Sequence, residues 1–295
     1  MRMDGQDESR NVEDVRGMGG GGDGGGGFGG RSIGIGSVVV ALIAGWIFGI
    51  NPLTLLGLGG GGDPGGQAVQ QQSGPAPAPP QGDAQAIFVS KVLRSTETVW
   101  TEIFRESGRT YQPPKLVVFS DSYPTACGRG QAAMGPFYCP NDQKVYIDLR
   151  FFRVLEQKLA SPGQFAQAYV IAHEVGHHVQ NQLGVMERAE ALRGRGGEAQ
   201  ANAVGVRVEL QADCFAGVWA ARSQQQQGLR LEPGDIEAGL NAASQIGDDT
   251  LQRKSQGQVV PESFTHGSSA QRVAWFKRGV EGGNVDRCNT FEERR

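Results

Sequence analysis

His173-Glu174-Val175-Gly176-His177 is the most informative stretch of this chain, because it concentrates three reactive side chains in one helical turn. Residues four apart in a helix share a face, so the imidazoles of His173 and His177 can converge on one metal ion. Glu174 lies one step further round the helix and can reach a water molecule on that ion. Hydrolytic zinc sites use three protein ligands and leave one position open. The stretch therefore predicts a helix and most of a zinc site.

The sequence around this motif is typical of an amphipathic helix. It follows Ser161-Pro162-Gly163-Gln164, which predicts a serine N-cap, a proline in the first turn and a capping-box glutamine. Gly184 is expected to end the helix. Between these limits, apolar side chains recur at helical spacing: Phe165, Tyr169, Ala172, Val175, Val179 and Leu183. A surface helix that happens to carry two histidines is the alternative that the motif alone leaves open.

A third metal ligand is expected from a second helix. Glu209 and Asp213 also lie four residues apart, in an apolar stretch with few helix breakers at residues 204–219. Buried carboxylates are rare unless they are paired or bind metal. Glu209 would complete a site of two histidines and one glutamate, and Asp213 could accept the second ring N–H of a ligand histidine. In the alternative, both acids form ordinary ion pairs with Arg207 or Arg222.

The remaining histidines divide into a candidate catalytic residue and a structural one. His266 precedes Ser268 and Gln271, which are spaced as the capping box of another helix. A histidine can donate a hydrogen bond to the oxyanion that forms when water attacks a peptide carbonyl. His266 is therefore either such a donor or a turn residue before the helix. His178 is expected to point away from the metal, and Tyr169 is expected to be a core residue.

These motifs resemble those of the bacterial neutral zinc metallopeptidases, a family of membrane-anchored proteins. The segments that carry the resemblance follow one another along the chain, at residues 126–128, 135–140, 145–148, 173–180, 209–217 and 265–272. The second helix is also similar to the third-ligand helix of the prenyl-protein-processing and heat-shock membrane metallopeptidases. That likeness implies that Glu209 binds zinc and that Asp213 supports a ligand. The resemblance implies no particular substrate.

Composition divides the chain into four parts. Residues 17–30 are almost all glycine and residues 59–83 are mainly Gly, Pro, Gln and Ala, so neither stretch can build a core. No charge occurs between Ser32 and Gly62, and the residues from 33 onwards are strongly apolar. We predict a disordered Gly-rich cytoplasmic tail at residues 1–32, a transmembrane helix at 33–56, a Gly/Pro/Gln-rich linker at 57–83 and the zinc metallopeptidase domain at 84–295.

The apolar stretch is long enough for a bilayer, which needs about 20 apolar residues in a helix. A cleaved signal peptide and a buried core helix are the alternatives, but no clear small-x-small cleavage site follows the stretch. Arg2, Arg10, Arg16 and Arg31 precede it, and the next cation is Lys91. The positive-inside rule then predicts a cytoplasmic N-terminus and an extracytoplasmic catalytic domain. We therefore expect a single-pass protein of the inner (cytoplasmic) membrane.

The four cysteines all lie in the predicted domain. An even number in an exported domain favours disulfides, and four cysteines allow three pairings. We expect Cys127 to pair with Cys139, since they bracket a short Gly- and Pro-containing loop. We expect Cys214 to pair with Cys288, which would hold the C-terminal tail near the site. A four-cysteine metal site is disfavoured because the sequence has no C-x-x-C pair.

The predicted domain is α+β and mostly helical, of zincin type, with the motif helix at its centre. Further helices are expected at residues 84–107, 233–246 and 269–280, and strands at 115–119 and 145–149. An edge of the resulting small sheet could pair with an extended peptide substrate. The net charge is −3 without a concentrated basic patch, so no nucleic-acid partner is expected.

We predict a membrane-anchored zinc metallopeptidase, in which His173, His177 and Glu209 hold zinc and Glu174 is the general base for a zinc-bound water. Its partners would be a peptide or protein substrate and the lipid bilayer. The alternative is a catalytically silent, membrane-tethered binding or scaffold module with a structural zinc ion. Glu174 favours the enzyme, because a structural site needs four closed ligands and no base.

Overall fold

The computed structural model describes residues 1–17, 82–132, 135–157, 159–226 and 228–292. Within these ranges the domain is mixed α+β and mostly helical, as predicted. The transmembrane helix expected at residues 33–56 lies outside the described residues, as does nearly all of the expected linker. Among the helices in the described ranges, none combines the length and the apolar character that a membrane span requires.

The described residues form eight α-helices and six β-strands. The helices are α1 (Ala84–Glu106), α2 (Phe151–Gln157), α3 (Gln164–Gln182), α4 (Val185–Arg193), α5 (Glu198–Ser223), α6 (Asp235–Gln245), α7 (Asp248–Gln256) and α8 (Ser269–Gly282). The strands are β1 (Val12–Asp14), β2 (Lys115–Val118), β3 (Ser122–Thr125), β4 (Gly128–Gln131), β5 (Phe137–Cys139) and β6 (Lys144–Ile147). Short 3₁₀ turns lie at Pro261–Ser263 and Val285–Cys288. The predicted helices α1, α6 and α8 are confirmed.

A four-stranded sheet packs beside the helices in the order β1-β2-β6-β5. The strands β1, β2 and β6 are parallel, with Leu116 of β2 opposite Val145 of β6, and β5 runs antiparallel to β6. The two central strands are rich in β-branched and aromatic residues, which suit a buried pleated surface. They are the two strands predicted at residues 115–119 and 145–149.

The strands β3 and β4 form a separate antiparallel hairpin over one face of the sheet. Tyr123 of this hairpin packs against a small apolar cluster that includes Phe119 and Tyr146. The turn of the hairpin carries Cys127, which is bonded to Cys139 of β5 with the Cα atoms 5.8 Å apart. The first predicted disulfide is confirmed, and it fastens the hairpin to the sheet.

Residues 1–17 belong to the folded domain. They contain β1, the edge strand of the sheet, and the side chain of Val12 in that strand is buried. Ser9 donates a hydrogen bond from Oγ to Oε1 of Glu97 in α1, at 2.5 Å. The disordered tail expected at residues 1–32 therefore does not extend over residues 1–17. Composition could not show this, because a three-residue polar strand is stable only through the partner strand that it pairs with.

The motif helix α3, the second helix α5 and the C-terminal helix α8 pack closely together. A Cβ atom on Gly176 of α3 would lie 3.0 Å from the carbonyl oxygen of Ala212 in α5, so glycine allows this close approach. Gly217 of α5 and Gly279 of α8 face each other in the same way, and a side chain on either would overlap the backbone of the other helix. These contacts bring the candidate ligands of α3 and α5 together.

The start of α3 differs from the prediction. Its N-cap is Gly163 at φ 105°, without a side-chain cap, and the helix begins at Gln164. Ser161 is buried, and its Oγ accepts a hydrogen bond from Nδ2 of Asn241 in α6 at 3.0 Å. The predicted capping box is wrong because this tertiary contact engages the serine hydroxyl. The helix ends at Gln182 with Leu183 as its C-cap, one residue before the predicted Gly184, which adopts the left-handed conformation at φ 72°.

Candidate metal centre

His173, His177 and Glu209 bring their ligand atoms together where α3 packs against α5. One atom from each of the three side chains lies within 4.8 Å of the others. The distances to the Glu209 carboxylate are 3.2 Å from His173 Nε2 and 3.6 Å from His177 Nε2. Zinc bonds of about 2.0–2.2 Å at the tetrahedral angle separate ligand atoms by about 3.3–3.6 Å. The group predicted from the sequence therefore has the donor types for a zinc ion, and each histidine lies from the glutamate at close to the separation of two zinc ligands.

The imidazole of His173 is oriented by Asp213, as the sequence predicts. Its Nδ1 lies 2.9 Å from Oδ1 of Asp213, which is fully buried. The same oxygen accepts a hydrogen bond from the Tyr169 hydroxyl at 2.5 Å. A carboxylate beside Nδ1 holds the ring proton there and leaves Nε2 free to bind a metal. Tyr169 is a core residue, as expected, and it also supports this carboxylate.

A buried arginine neutralises Asp213, and the sequence reasoning missed it. Arg272 of α8 donates from Nε and Nη2 to the two carboxylate oxygens of Asp213, at 2.8 and 2.9 Å. Burial acts to raise the pKa of Asp213, but Arg272 and His173 outweigh it and hold the pKa at about 2. The available signal was position, since Arg272 shares the buried stripe of α8 with Phe276 and Gly279. An arginine on an apolar stripe needs an acidic partner.

The imidazole of His177 is oriented by neutral amides instead. Its Nδ1 lies 2.9 Å from Oε1 of Gln180, whose Nε2 donates to the carbonyl of Val208 at 2.7 Å and to Oε1 of Gln211 at 3.0 Å. Gln211 in turn donates to the carbonyl of Cys288 at 3.0 Å. This chain of amides connects the second candidate ligand to the C-terminal part of the protein, and the sequence reasoning missed it.

The second disulfide holds that C-terminal part in place. Cys214 and Cys288 are bonded, with their Cα atoms 5.5 Å apart, which confirms the predicted pairing. Cys214 follows Asp213 on α5, so the bridge fastens the C-terminal turn to the same helix that carries the candidate glutamate ligand. All four cysteines of the chain are thereby paired.

The two glutamates of the site have opposite electrostatic environments. Burial acts to raise the pKa of Glu209, but His177 and His173 hold it well below its usual range. Glu209 is therefore a carboxylate, the form that binds metal. Burial raises the pKa of Glu174, and the neighbouring histidines oppose it only in part. Glu174 is 8% exposed and sits beside the ligand group, the position expected of a general base.

His266 is held in the loop before α8 by a carboxylate that the sequence reasoning missed. Its Nδ1 lies 3.2 Å from Oδ1 of Asp248, and the backbone N–H groups of Thr265, His266 and Gly267 donate to Oδ2 of Asp248 at 2.7–2.9 Å. Burial acts to lower the pKa of His266, but Asp248 and the charge of Glu209 outweigh it and raise the pKa above its usual value. The side chain is 41% exposed, so it can meet a ligand.

Comparison with known proteins places the chain in a family. A family model described as "putative neutral zinc metallopeptidase" matches residues 1–291. The chain belongs to this family. It is 50% identical over 294 residues, 99% of each chain, to the uncharacterized protein YpfJ of Escherichia coli K12. It is 44% identical over 206 residues, 67% of each chain, to the uncharacterized protein Rv2575 of Mycobacterium tuberculosis H37Rv.

The family description agrees with the donor set of the site, and the resemblance seen in the sequence is confirmed. Two histidines and a glutamate are a common ligand set of catalytic zinc. No solved structure gives a significant match to the chain, so the zincin-type fold stays a prediction.

The third histidine of the motif region is structural, as predicted. His178 is fully buried on a different face of α3 from the candidate ligands. Its Nδ1 lies 3.0 Å from the Tyr138 hydroxyl and its Nε2 lies 2.6 Å from the carbonyl of Gln112. Burial lowers the pKa of His178, so the ring is neutral near pH 7. This histidine connects α3 to β5 and to the segment before β2.

Proposed function

We propose that this protein is a zinc-dependent metallopeptidase that hydrolyses peptide bonds in a peptide or protein substrate. The observation that supports this most is the convergence of His173, His177 and Glu209, with Glu174 buried beside them. In the part of the chain that the structure describes, no fourth histidine, cysteine or carboxylate joins this group. Three protein ligands leave a tetrahedral zinc ion one position for chemistry, as hydrolysis requires.

Each residue of the site would have a separate role in hydrolysis. Bound zinc would supply Lewis acidity, which polarises the scissile carbonyl and acidifies water. Glu174 would take the proton of the attacking water and deliver it to the leaving amine. Asp213 and Gln180 would keep the Nε2 atoms of the two histidines directed at the metal, since each holds the corresponding Nδ1.

His266 would stabilise the oxyanion that forms on the substrate carbonyl. Asp248 engages its Nδ1, which leaves Nε2 as the donor towards the substrate. The loop packs on α5 next to the candidate ligand, because a Cβ atom on Gly267 would lie 3.3 Å from the side chain of Leu210. Leu210 directly follows Glu209. This proximity favours the donor interpretation of His266 over that of a turn residue.

The location of the domain is part of the same proposal. Its two disulfides suit an oxidising compartment, so we place the domain outside the cytoplasm. The apolar stretch at residues 33–56 would attach the protein to the bilayer of the inner membrane. An unfolded or extended polypeptide in that compartment is the expected substrate class, since an extended backbone can pair with a sheet edge.

Glu174→Gln tests the proposed activity. We expect the variant to keep its zinc, measured by elemental analysis, and to lose about 10²–10⁴-fold in hydrolysis, because only the base is removed. Cleavage of a mixture of unstructured peptides, read by mass spectrometry, gives the rate. Glu187→Gln, the same change at an exposed position of α4, is the control and should cleave as the wild type does. Equal rates for wild type and Glu174→Gln would refute the general-base role.

Chelation separates the enzyme from a module with structural zinc. If zinc is catalytic, its removal should abolish cleavage and leave the thermal unfolding transition in place. If the domain unfolds when zinc is removed, and the zinc-loaded wild type cleaves none of the peptides, the protein is a binding or scaffold module. Comparing newly formed protein termini in wild-type and Glu174→Gln cells would then identify substrates of an active enzyme.

A further inference from the structure

The segment of residues 1–17 contacts two separate parts of the metal-centre domain. At one end, the backbones of Arg2 and Arg230 exchange hydrogen bonds of 2.9 Å in both directions. At the other end, β1 pairs with β2, and the N–H of Val15 donates to the carbonyl of Val118 at 2.8 Å. The segment is thus attached along its length to helical and sheet regions that follow residue 82.

A buried carboxylate of the domain depends on this segment. Glu97 of α1 is 4% exposed, and it accepts hydrogen bonds from Ser9 at 2.5 Å and from Nδ2 of Asn11 at 2.8 Å. Ser90 of α1 donates to the carbonyl of Ser9 at 3.1 Å. A buried carboxylate without hydrogen-bond donors is costly. The segment therefore supplies part of the interior of the domain.

Charged pairs reinforce the attachment at the sheet. Glu13 of β1 lies 2.5 Å from Nζ of Lys115 in β2 and 2.8 Å from Nζ of Lys144 in β6. One carboxylate thus bridges the two neighbouring parallel strands. Like the hydrogen bonds to Glu97, these contacts join residues that precede the apolar stretch to residues that follow it.

The chain leaves the described domain and returns to it at one place. Arg16 pairs with Asp83, with 2.7 Å between Nη1 and Oδ2. Asp83 is the N-cap of α1, where it accepts hydrogen bonds from the N–H groups of Gln85 and Ala86. The last described residue before the gap is Gly17, and the first after it is Gly82. The ends of the intervening chain therefore lie side by side.

A single crossing of a membrane is incompatible with this contact. The hydrocarbon core of a bilayer is about 30 Å thick, so one crossing would separate the two ends by at least that distance. We propose that residues 1–17 and the metal-centre domain lie on the same side of the membrane. If β1 instead paired with β2 of a second copy of the chain, residues 1–17 and the domain would still have to lie on the same side of the membrane.

The proposal replaces the cytoplasmic N-terminus expected from the flanking arginines. One of those arginines, Arg16, pairs with Asp14 and Asp83 in the folded domain. The proposal rests on the packing alone and holds whether or not the zinc centre is active.

Matched cysteine variants test the topology. Glu8→Cys places a thiol in the first segment, and Glu102→Cys places one on α1, both at exposed positions. The native cysteines are all in disulfides, so only the introduced thiol should react. A membrane-impermeant maleimide is added to intact spheroplasts of bacteria that produce the full chain, and to lysed ones. We expect the two variants to be labelled to the same extent before lysis.

The outcomes of this labelling separate two proposals. Labelling of Glu102→Cys before lysis, with labelling of Glu8→Cys only afterwards, would overturn the same-side topology. Labelling of both variants before lysis supports the topology and the extracytoplasmic location together. Labelling of both only after lysis supports the topology and refutes the extracytoplasmic location.

A cleavable chain tests the contact itself. A recognition site for a specific protease is inserted between Gln71 and Gln72, and a C-terminal tag captures the domain in mild detergent after cleavage. We expect the N-terminal fragment to stay bound, and Val12→Asp, which places a charge in the buried edge strand, to release it. Val260→Asp changes an exposed valine and should not release it. Release of the unmodified fragment would overturn the proposal.

Discussion

The two histidines of the candidate metal centre lie on one helix but are supported in different ways. His173 is held by Asp213, a buried carboxylate that is itself paired with Arg272. His177 is held by Gln180, the first of a chain of neutral amides. The two arrangements show that a candidate ligand histidine can be oriented by a charged or by a neutral side chain. Only the charged support also increases the basicity of the imidazole.

The two supports also depend on different parts of the chain. The charged support depends on α8, because Arg272 is the only arginine or lysine that pairs with Asp213 among the described residues. The neutral support depends on the 3₁₀ turn at Val285–Cys288, because Gln211 donates to the carbonyl of Cys288. We expect substitutions on the charged side to cost more, since an unpaired buried charge costs more than an unpaired amide.

Arg272→Met should have the largest effect on stability, because it removes the partner of the Asp213 carboxylate. It leaves the Asp213 carboxylate buried without its bidentate partner, which lowers the free energy of unfolding by about 3–5 kcal/mol. Urea denaturation of the metal-free protein measures the loss. Lys277→Met, at an exposed position of the same helix, should change stability by less than about 0.5 kcal/mol. Similar losses in both variants would show that the Arg272–Asp213 pair contributes no more to the free energy of unfolding than an exposed ion pair does.

Gln180→Met should have the next largest effect on stability, because it removes the amide that supports His177. The side chain keeps its approximate shape, but the carbonyl of Val208 loses its donor and His177 loses its acceptor. We expect a loss of about 1–3 kcal/mol in the free energy of unfolding. Gln164→Met, at an exposed position at the start of α3, is the control. A loss as large as that of Arg272→Met would remove the contrast between the two sides.

Zinc affinity measures separately what the charge of Asp213 and the neutral amide of Gln180 contribute to metal binding. Asp213→Asn keeps the shape of the support for His173 and removes its charge, so we expect a loss of about 10–100-fold in affinity. Gln180→Met should lose less, because a neutral acceptor adds little to the basicity of His177. Competition with a chromogenic chelator measures both constants on folded protein. Equal losses would mean that orientation alone, and not charge, is what Asp213 provides.

The smallest expected effect is a pH dependence at Asp248, the carboxylate that holds the loop of His266. Burial acts to raise the pKa of Asp248, but hydrogen bonds from His266 and the loop backbone hold it below its usual value. Such a carboxylate stabilises the fold above the ordinary Asp pKa of about 3.9, and this stabilisation is lost as the pH falls through the folded value. The cost of Asp248→Asn in urea unfolding should therefore shrink between about pH 6 and pH 3.

Gln252→Met provides the neutral comparison for this experiment. Gln252 is fully buried on the same helix as Asp248. Its Nε2 donates a hydrogen bond to Oγ of Ser263, and its Oε1 accepts one from the N–H of Val260. Because no charge is involved, the cost of this change should stay level over the same pH range. If the cost of Asp248→Asn were also level, the carboxylate would not be the titrating support of the loop.

Much of the candidate site could be predicted because it depends on helical spacing. His173 and His177 share a face of α3, and Glu209 and Asp213 share a face of α5, whatever surrounds them. The disulfide partners were also predictable, since a small number of cysteines leaves few pairings. The residues that support the site could not be predicted in this way, because Arg272 and Asp248 lie far from the motif along the chain.

Two capping predictions show where local patterns stop being sufficient. The pattern at Ser268 and Gln271 forms the predicted capping box. The same type of pattern at Ser161 does not, because Asn241 engages the serine hydroxyl and Gly163 takes the N-cap position. A serine and a glutamine at the right spacing can form a cap, but neighbours distant in sequence decide whether the hydroxyl is available.

The residues of the candidate centre and the helices that present them could be predicted from the sequence alone. Helical periodicity and ligand spacing are short-range properties that each segment carries with it. The distant groups that support that centre, and the packing of residues 1–17 against the domain, could be recognised only in the tertiary structure. Burial, ion pairing and strand pairing gain their energy from partners that folding brings together. A polar edge strand such as β1, and a buried arginine such as Arg272, are therefore recognised only when their partners are seen.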